Sequence, residues 1–130
     1  MFDFLKRKKL SLMLVDDDIR VCQAFKRQAF GLSVVTAFTD PVVALKSLVD
    51  DDNYSAVLSD LRMPVMSGID FLTRVRAINA TIPIFLFTGV LDHPELRTQL
   101  SQIGIQGTFF KPLNSVTVLD HVRRSVSAPL

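Results

Sequence analysis

At 130 residues the chain has room for one compact core and too little for two ordinary domains. Hydrophobic residues make up 48% of it and charged residues 22%, which argues against a disordered chain. No apolar run approaches the roughly 18 residues of a membrane span, and the net charge of +2 is modest.

The opening segment, residues 1–10, reads as a basic leader. Lys6, Arg7, Lys8 and Lys9 follow Phe2, Phe4 and Leu5 without the apolar core of a signal peptide. A solvated extension is the plain reading; a contact to nucleic acid or anionic lipid is the sharper one. Leu10 to Val15 then predicts a first strand, apolar enough for burial on both faces, and Asp16, Asp17 and Asp18 stop it. From Ile19 to about Phe30 the spacing turns helical, with Val21, Phe25 and Ala29 on one stripe and Gly31 at the exit. The single cysteine, Cys22, lies in this helix. It cannot close an intrachain disulfide and is expected in or near the core of a protein kept in a reducing, cytoplasmic compartment.

Ser33 to Phe38 predicts the second strand, and Asp40-Pro41 the start of a helix whose apolar face is Leu45, Leu48 and Val49. Tyr54 to Ser59 predicts the third strand, delivering Asp60 to a proline-punctuated loop. Gly68 precedes a third helix carrying Phe71, Leu72, Val75 and Ile78. Ile82 to Phe87 predicts the fourth strand, ending at Thr88-Gly89. Asp92-His93-Pro94-Glu95 resembles a capping box for a helix bearing Leu96, Leu100 and Ile103. Gly107 to Phe110 predicts a short fifth strand that delivers Lys111-Pro112. Asn114 caps a last helix with Val116, Leu119, Val122 and Val126 inward. One domain over residues 11–127 follows, with a tail at 128–130. Five strands alternating with helices predict an α/β fold, a doubly wound parallel sheet with its site at the carboxyl ends of the strands.

That edge collects Asp16, Asp17 and Asp60 with Thr88 and Lys111. Three neighbouring carboxylates repel unless a cation offsets them, and Mg²⁺ suits hard oxygen ligands. An aspartate can also act as nucleophile toward phosphorus, while a lysine and a hydroxyl stabilise phosphoryl oxygens. His93 and His121 lack zinc-ligand spacing, and the glycines form no phosphate-binding P-loop.

Leu14-Val15-Asp16-Asp17-Asp18, Ser59-Asp60-Leu61-Arg62-Met63-Pro64, Met66-Ser67-Gly68, Thr88-Gly89 and Lys111-Pro112, in this order, resemble the receiver domain of two-component response regulators. The resemblance implies a flavodoxin-like (βα)5 fold with strand order 2-1-3-4-5. It implies that Asp60 accepts a phosphoryl group from a histidine kinase or histidine phosphotransfer protein. Asp17 would bind Mg²⁺ directly, Asp16 would lie near it, and Asp60 and the backbone carbonyl of Arg62 would complete the protein ligands. Thr88 and Lys111 would contact the phosphoryl oxygens. Such a chain catalyses its own phosphoryl transfer and slow dephosphorylation, but serves mainly as a switch. Its output surface would be the fourth helix, fifth strand and fifth helix. With no DNA-binding module after the last helix, output is expected through a protein partner or self-association, with neither specific nucleic acid nor a membrane span involved; a receiver excised from a larger regulator or hybrid kinase is the equal alternative.

Two positions depart from the family's commonest pattern. Thr108 stands three residues before Lys111, where the family usually has Tyr, Phe or His. A phosphorylation-independent adaptor with a receiver fold is therefore the competing expectation, ahead of a nucleic-acid binder using Lys6 to Lys9. Arg62 and Val90 flank the path of attacking water and supply no obvious base, which predicts a long-lived phosphoryl group.

Overall fold

The structure is a computed structural model and describes residues 9–89 and 94–126. In chain order its elements are β1 (Leu10–Val15), α1 (Ile19–Ala29), β2 (Ser33–Phe38), α2 (Pro41–Asp50) and β3 (Ala56–Asp60). They continue with α3 (Gly68–Ile78), β4 (Ile84–Thr88), α4 (Pro94–Ile103), β5 (Gly107–Phe110) and α5 (Ser115–Val126). All strand pairs are parallel, in the order β2-β1-β3-β4-β5. This is the doubly wound, flavodoxin-like order expected. Leu10, at the seam between leader and domain, is the first residue of β1.

The central strands are apolar on both faces because each face carries a layer of helices. Leu12 and Leu14 of β1, Leu58 of β3 and Phe85 and Phe87 of β4 pack with Cys22, Phe25, Val118 and Val122 of α1 and α5. Their alternating neighbours Met13, Val15, Val57, Ile84 and Leu86 pack with Ala44, Leu48, Phe71, Leu72 and Val75 of α2 and α3. A fully buried Leu or Phe contributes about 1.5–3 kcal/mol by transfer alone, so the two-sided strands anchor the sheet.

Helix starts follow local chemistry. Asp18 Oδ1 accepts from the Arg20 amide at 2.9 Å, Asp40 Oδ1 from Val42 at 2.9 Å, Ser67 Oγ from Asp70 at 3.1 Å and Asn114 Oδ1 from Thr117 at 3.1 Å. Each satisfies an amide the first helical turn leaves without a partner. The expected cap at Asp92 and His93 lies outside the described residues.

Several inward assignments need correction. Val49, Ile78, Val116 and Val126 are exposed, whereas Ala44, Val118 and Ser115 take buried positions. A 3.6-residue period carries the apolar residues at the ends of each stripe past the contact line. Gly68 is the first helical residue of α3 rather than its forerunner, with Ser67 as the cap. Both β3 and β4 also begin two residues later than the apolar runs suggest and include Asp60 and Thr88. Tyr54 instead hydrogen-bonds Ser47 across α2 at 2.8 Å, and Pro83 has no amide to donate to a ladder.

Arg76 of α3 is a tie that hydrophobic periodicity does not reveal. Its guanidinium donates to the carbonyls of Ile103 at 3.1 Å, Gly104 at 3.1 Å, Ile82 at 2.7 Å and Asn79 at 3.3 Å. One side chain thereby joins the end of α3 to the end of α4 and the approach to β4.

Candidate phosphoacceptor site

Because β1 and β3 are adjacent and in register, with Val15 opposite Ser59, their carboxyl ends bring Asp16 and Asp17 beside Asp60. One carboxylate oxygen from each of the three lies within 4.8 Å of the others. Asp16 and Asp60 are buried, while Asp17 is exposed, so water reaches the cluster from one side.

Backbone amides orient the two buried acids. Asp16 Oδ1 accepts from the Asp18 amide at 2.8 Å, and Asp60 Oδ1 accepts from the Leu61 amide at 2.9 Å. Lys111 spans both: its Nζ is 3.0 Å from Asp16 Oδ2 and 3.4 Å from Asp60 Oδ2, and 5.3 Å from the centre of the Phe87 ring. The approach to Asp16 Oδ2 pairs a fully buried carboxylate oxygen with the ammonium.

Electrostatics follows from this burial. Burial pushes the Asp16 carboxyl above its ordinary range, against the opposing pull of the Asp18 amide and Lys111. Burial also pulls Lys111 down, but Asp16 and then Asp60 outweigh it and leave the ammonium held above its usual value. Cys22, whose thiol donates to the Asp16 carbonyl at 3.5 Å, is pushed up to about 11, first by burial and then by the Asp16 charge.

The remaining expected residues converge as well. Thr88 ends β4 and is buried, and its carbonyl accepts from the Lys111 amide at 2.9 Å. Asp60, Arg62, Thr88, Gly89 and Lys111 line a cleft of about 390 Å³. Val90, on the expected water path, lies outside the described residues. Thr108 pairs with Leu86, and Phe109 stacks on Phe85 at 5.7 Å between ring centres, in the α1–α5 layer. The ring beside Thr108 in sequence is therefore committed elsewhere. His121 is exposed and meets Phe109 edge-on at 5.4 Å.

Gly68 is the site residue whose role sequence reasoning understated. Its amide donates to the Leu61 carbonyl at 2.7 Å, and a Cβ there would collide with the backbone of Asp60 and Leu61. The Met-Ser-Gly segment after the loop was the available signal.

Residues 12–123 match the Response regulator receiver domain family. The chain belongs to that family. As a receiver domain it is a phosphoaccepting signalling module. It is 31% identical over 115 residues to the C4-dicarboxylate transport transcriptional regulatory protein DctD of Pseudomonas aeruginosa, covering 88% of this chain and 25% of that protein. It is 29% identical over 121 residues to the transcriptional regulatory protein FixJ of Azorhizobium caulinodans, covering 92% of this chain and 56% of that protein. The chain thus spans about a quarter of the length of DctD and about half that of FixJ. Among solved structures, the chemotaxis protein CheY4 of Vibrio cholerae superposes with a TM-score of 0.81 at 26% identity, covering 91% of this chain and 99% of that one. Among the described residues of this receiver domain, no helix is long and apolar enough to cross a membrane.

Proposed function

We propose that Asp60 is the phosphoacceptor and that the donor is a phosphohistidine on a histidine kinase or histidine phosphotransfer protein. A carboxylate oxygen of Asp60 forms the new bond to phosphorus while the bond from phosphorus to the donor imidazole breaks, its electron pair leaving with the nitrogen. Lys111 and Thr88 stand where they would meet the phosphoryl oxygens.

Asp16, Asp17, Asp60 and the backbone carbonyl of Arg62 would hold Mg²⁺. The donor set is all hard oxygen, with one carboxylate oxygen from each of the three acids within 4.8 Å of the others, which fits such an ion. When bound, the ion would neutralise charge on the transferring oxygens. The chain's own contribution is to hold the acids through the Asp18 and Leu61 amides and to keep a cation at Lys111 between them.

The added charge on Asp60 would shift the preference between two conformations, read by a protein partner or a second copy through α4, β5 and α5. The convergence of three carboxylates and one ammonium at adjacent strand ends is the observation that carries this reading. Thr108 keeps the adaptor reading in contention, because no aromatic ring stands at that position to move. Labelling with acetyl phosphate and Mg²⁺, with Asp60→Ala as control, tests the acceptor. Partner binding or self-association compared before and after labelling separates switch from adaptor: no change in either supports the adaptor.

A further inference from the structure

The parallel sheet has two poles, and the acidic site occupies only the carboxyl-terminal one. At the other, α1 and α5 end in basic pairs, Lys26-Arg27 and Arg123-Arg124. Between the end of α1 and β2, the turn Phe30-Gly31-Leu32 projects from that pole. Gly31 holds a φ of +81°, the left-handed conformation that ends many helices. Phe30 is 88% exposed and Leu32 43%. The turn is tied down: the Phe30 amide donates to the Arg27 carbonyl at 3.3 Å, the Leu32 amide to Ala29 at 2.9 Å, and Arg123 donates to the Leu32 carbonyl at 2.6 Å.

Leu10 is paired with Ser33, so Lys9, just before β1, enters the fold beside this turn. The run Lys6-Arg7-Lys8-Lys9 precedes that point in sequence, with Phe2, Phe4 and Leu5 before it. Helix α1 contains no acidic residue, and Asp120 of α5 is already paired with Arg124 at 2.7 Å. The acidic run Asp50 to Asp52 ends α2 at this same pole, but in the opposite helical layer, so the cationic side of the pole is the α1–α5 side. Cations in the last turn of a helix complement its dipole, which accounts for the two pairs taken singly. It does not account for a phenyl ring left bare in the turn that follows α1 and that Arg123 ties to α5.

We propose that the α1–α5 side of this pole binds the surface of anionic lipid membranes, with Phe30 entering the interface and Lys9, Lys26 and Arg27 meeting the headgroups. Cations flanking an exposed aromatic ring match the two contributions peripheral binding requires, electrostatic attraction and apolar insertion. A turn tip with a bare ring gives apolar volume to the acyl boundary but no groove to track a nucleic-acid backbone. A chain held this way directs its Asp60 pole away from the lipid, toward an incoming donor.

The test uses the full 130-residue chain with vesicles of phosphatidylcholine alone and of phosphatidylcholine mixed with phosphatidylserine. The expected result is co-sedimentation with the mixed vesicles only, reversed by raised salt. The chain has no tryptophan, so Phe30→Trp adds a single reporter at an exposed position, and its emission should shift to the blue on mixed vesicles. Replacing Lys26 and Arg27 by Gln should weaken binding roughly fivefold per cation while leaving the circular dichroism unchanged. Phe30→Ser should weaken it too. Equal or absent binding to both vesicle types overturns the proposal. So does tight, salt-sensitive binding to duplex DNA with no emission shift on vesicles, which would make the pole a polyanion contact.

Discussion

Lys111 Nζ lies 3.0 Å from Asp16 Oδ2, nearer than to the proposed acceptor Asp60. Without an added cation, this lysine supplies the compensating charge for a carboxylate with no solvent exposure, beside the Asp18 amide. Lys111→Met should therefore lower stability by about 2 kcal/mol in metal-free buffer, short of a fully buried pair because the lysine is partly exposed. Added Mg²⁺ should raise the melting temperature of the variant more than that of the wild type. Equal shifts in the two proteins would show that the lysine and the proposed ion do not share a role.

Gly68 packs against the peptide that carries Asp60. Gly68→Ala forces α3 and the β3 end apart, at a cost of about 2–3 kcal/mol. Urea unfolding should show that loss, and acetyl phosphate labelling should slow because the acceptor moves. A variant with unchanged stability would show that the loop has room the packing denies it.

The Cys22 thiol is raised from an ordinary 9.0 to about 11. A folded pKa above the unfolded one means the native state holds the proton longer, so its contribution is intact below pH 9 and is lost as pH rises toward 11. Wild-type stability should fall by up to about 2 kcal/mol across that window. Cys22→Ala should show a flatter profile there. Parallel pH profiles for the two proteins would contradict the burial argument.

Arg62 lines the cleft with Asp60 and Thr88 and offers no base to attacking water. Arg62→Asn should lose its phosphoryl group faster than wild type, by roughly three- to tenfold, less than the 10² of an added general base. Decay of the acyl phosphate after removal of the donor measures it. An Asn variant no more labile than wild type would remove Arg62 from the account.

The sequence carried the architecture because four of its five apolar runs end in a chemically distinctive residue. Leu12 to Val15 is uninterrupted since both its faces are buried, and the buried Asp16 and exposed Asp17 interrupt it at the sheet's carboxyl edge. The convergence of Asp16, Asp17, Asp60, Thr88 and Lys111 was legible from the same logic. Depth within a stripe was not. Val49 and Ile78 keep the helical spacing of their neighbours, but whether a residue at the stripe's edge is covered depends on the angle at which the helix meets the sheet. Nor was the Arg76 tie legible: its four acceptors are backbone carbonyls, which have no residue signature. The collision that reserves Gly68 for glycine is likewise a distance between backbones remote from any periodicity.

Intact mass after incubation with acetyl phosphate and Mg²⁺ tests the proposed acceptor most directly. Wild type should gain the mass of one phosphoryl group, labile to hydroxylamine as an acyl phosphate is, and Asp60→Ala should gain none. Equal labelling of Asp60→Ala, or no labelling of wild type with Mg²⁺ present, would contradict it.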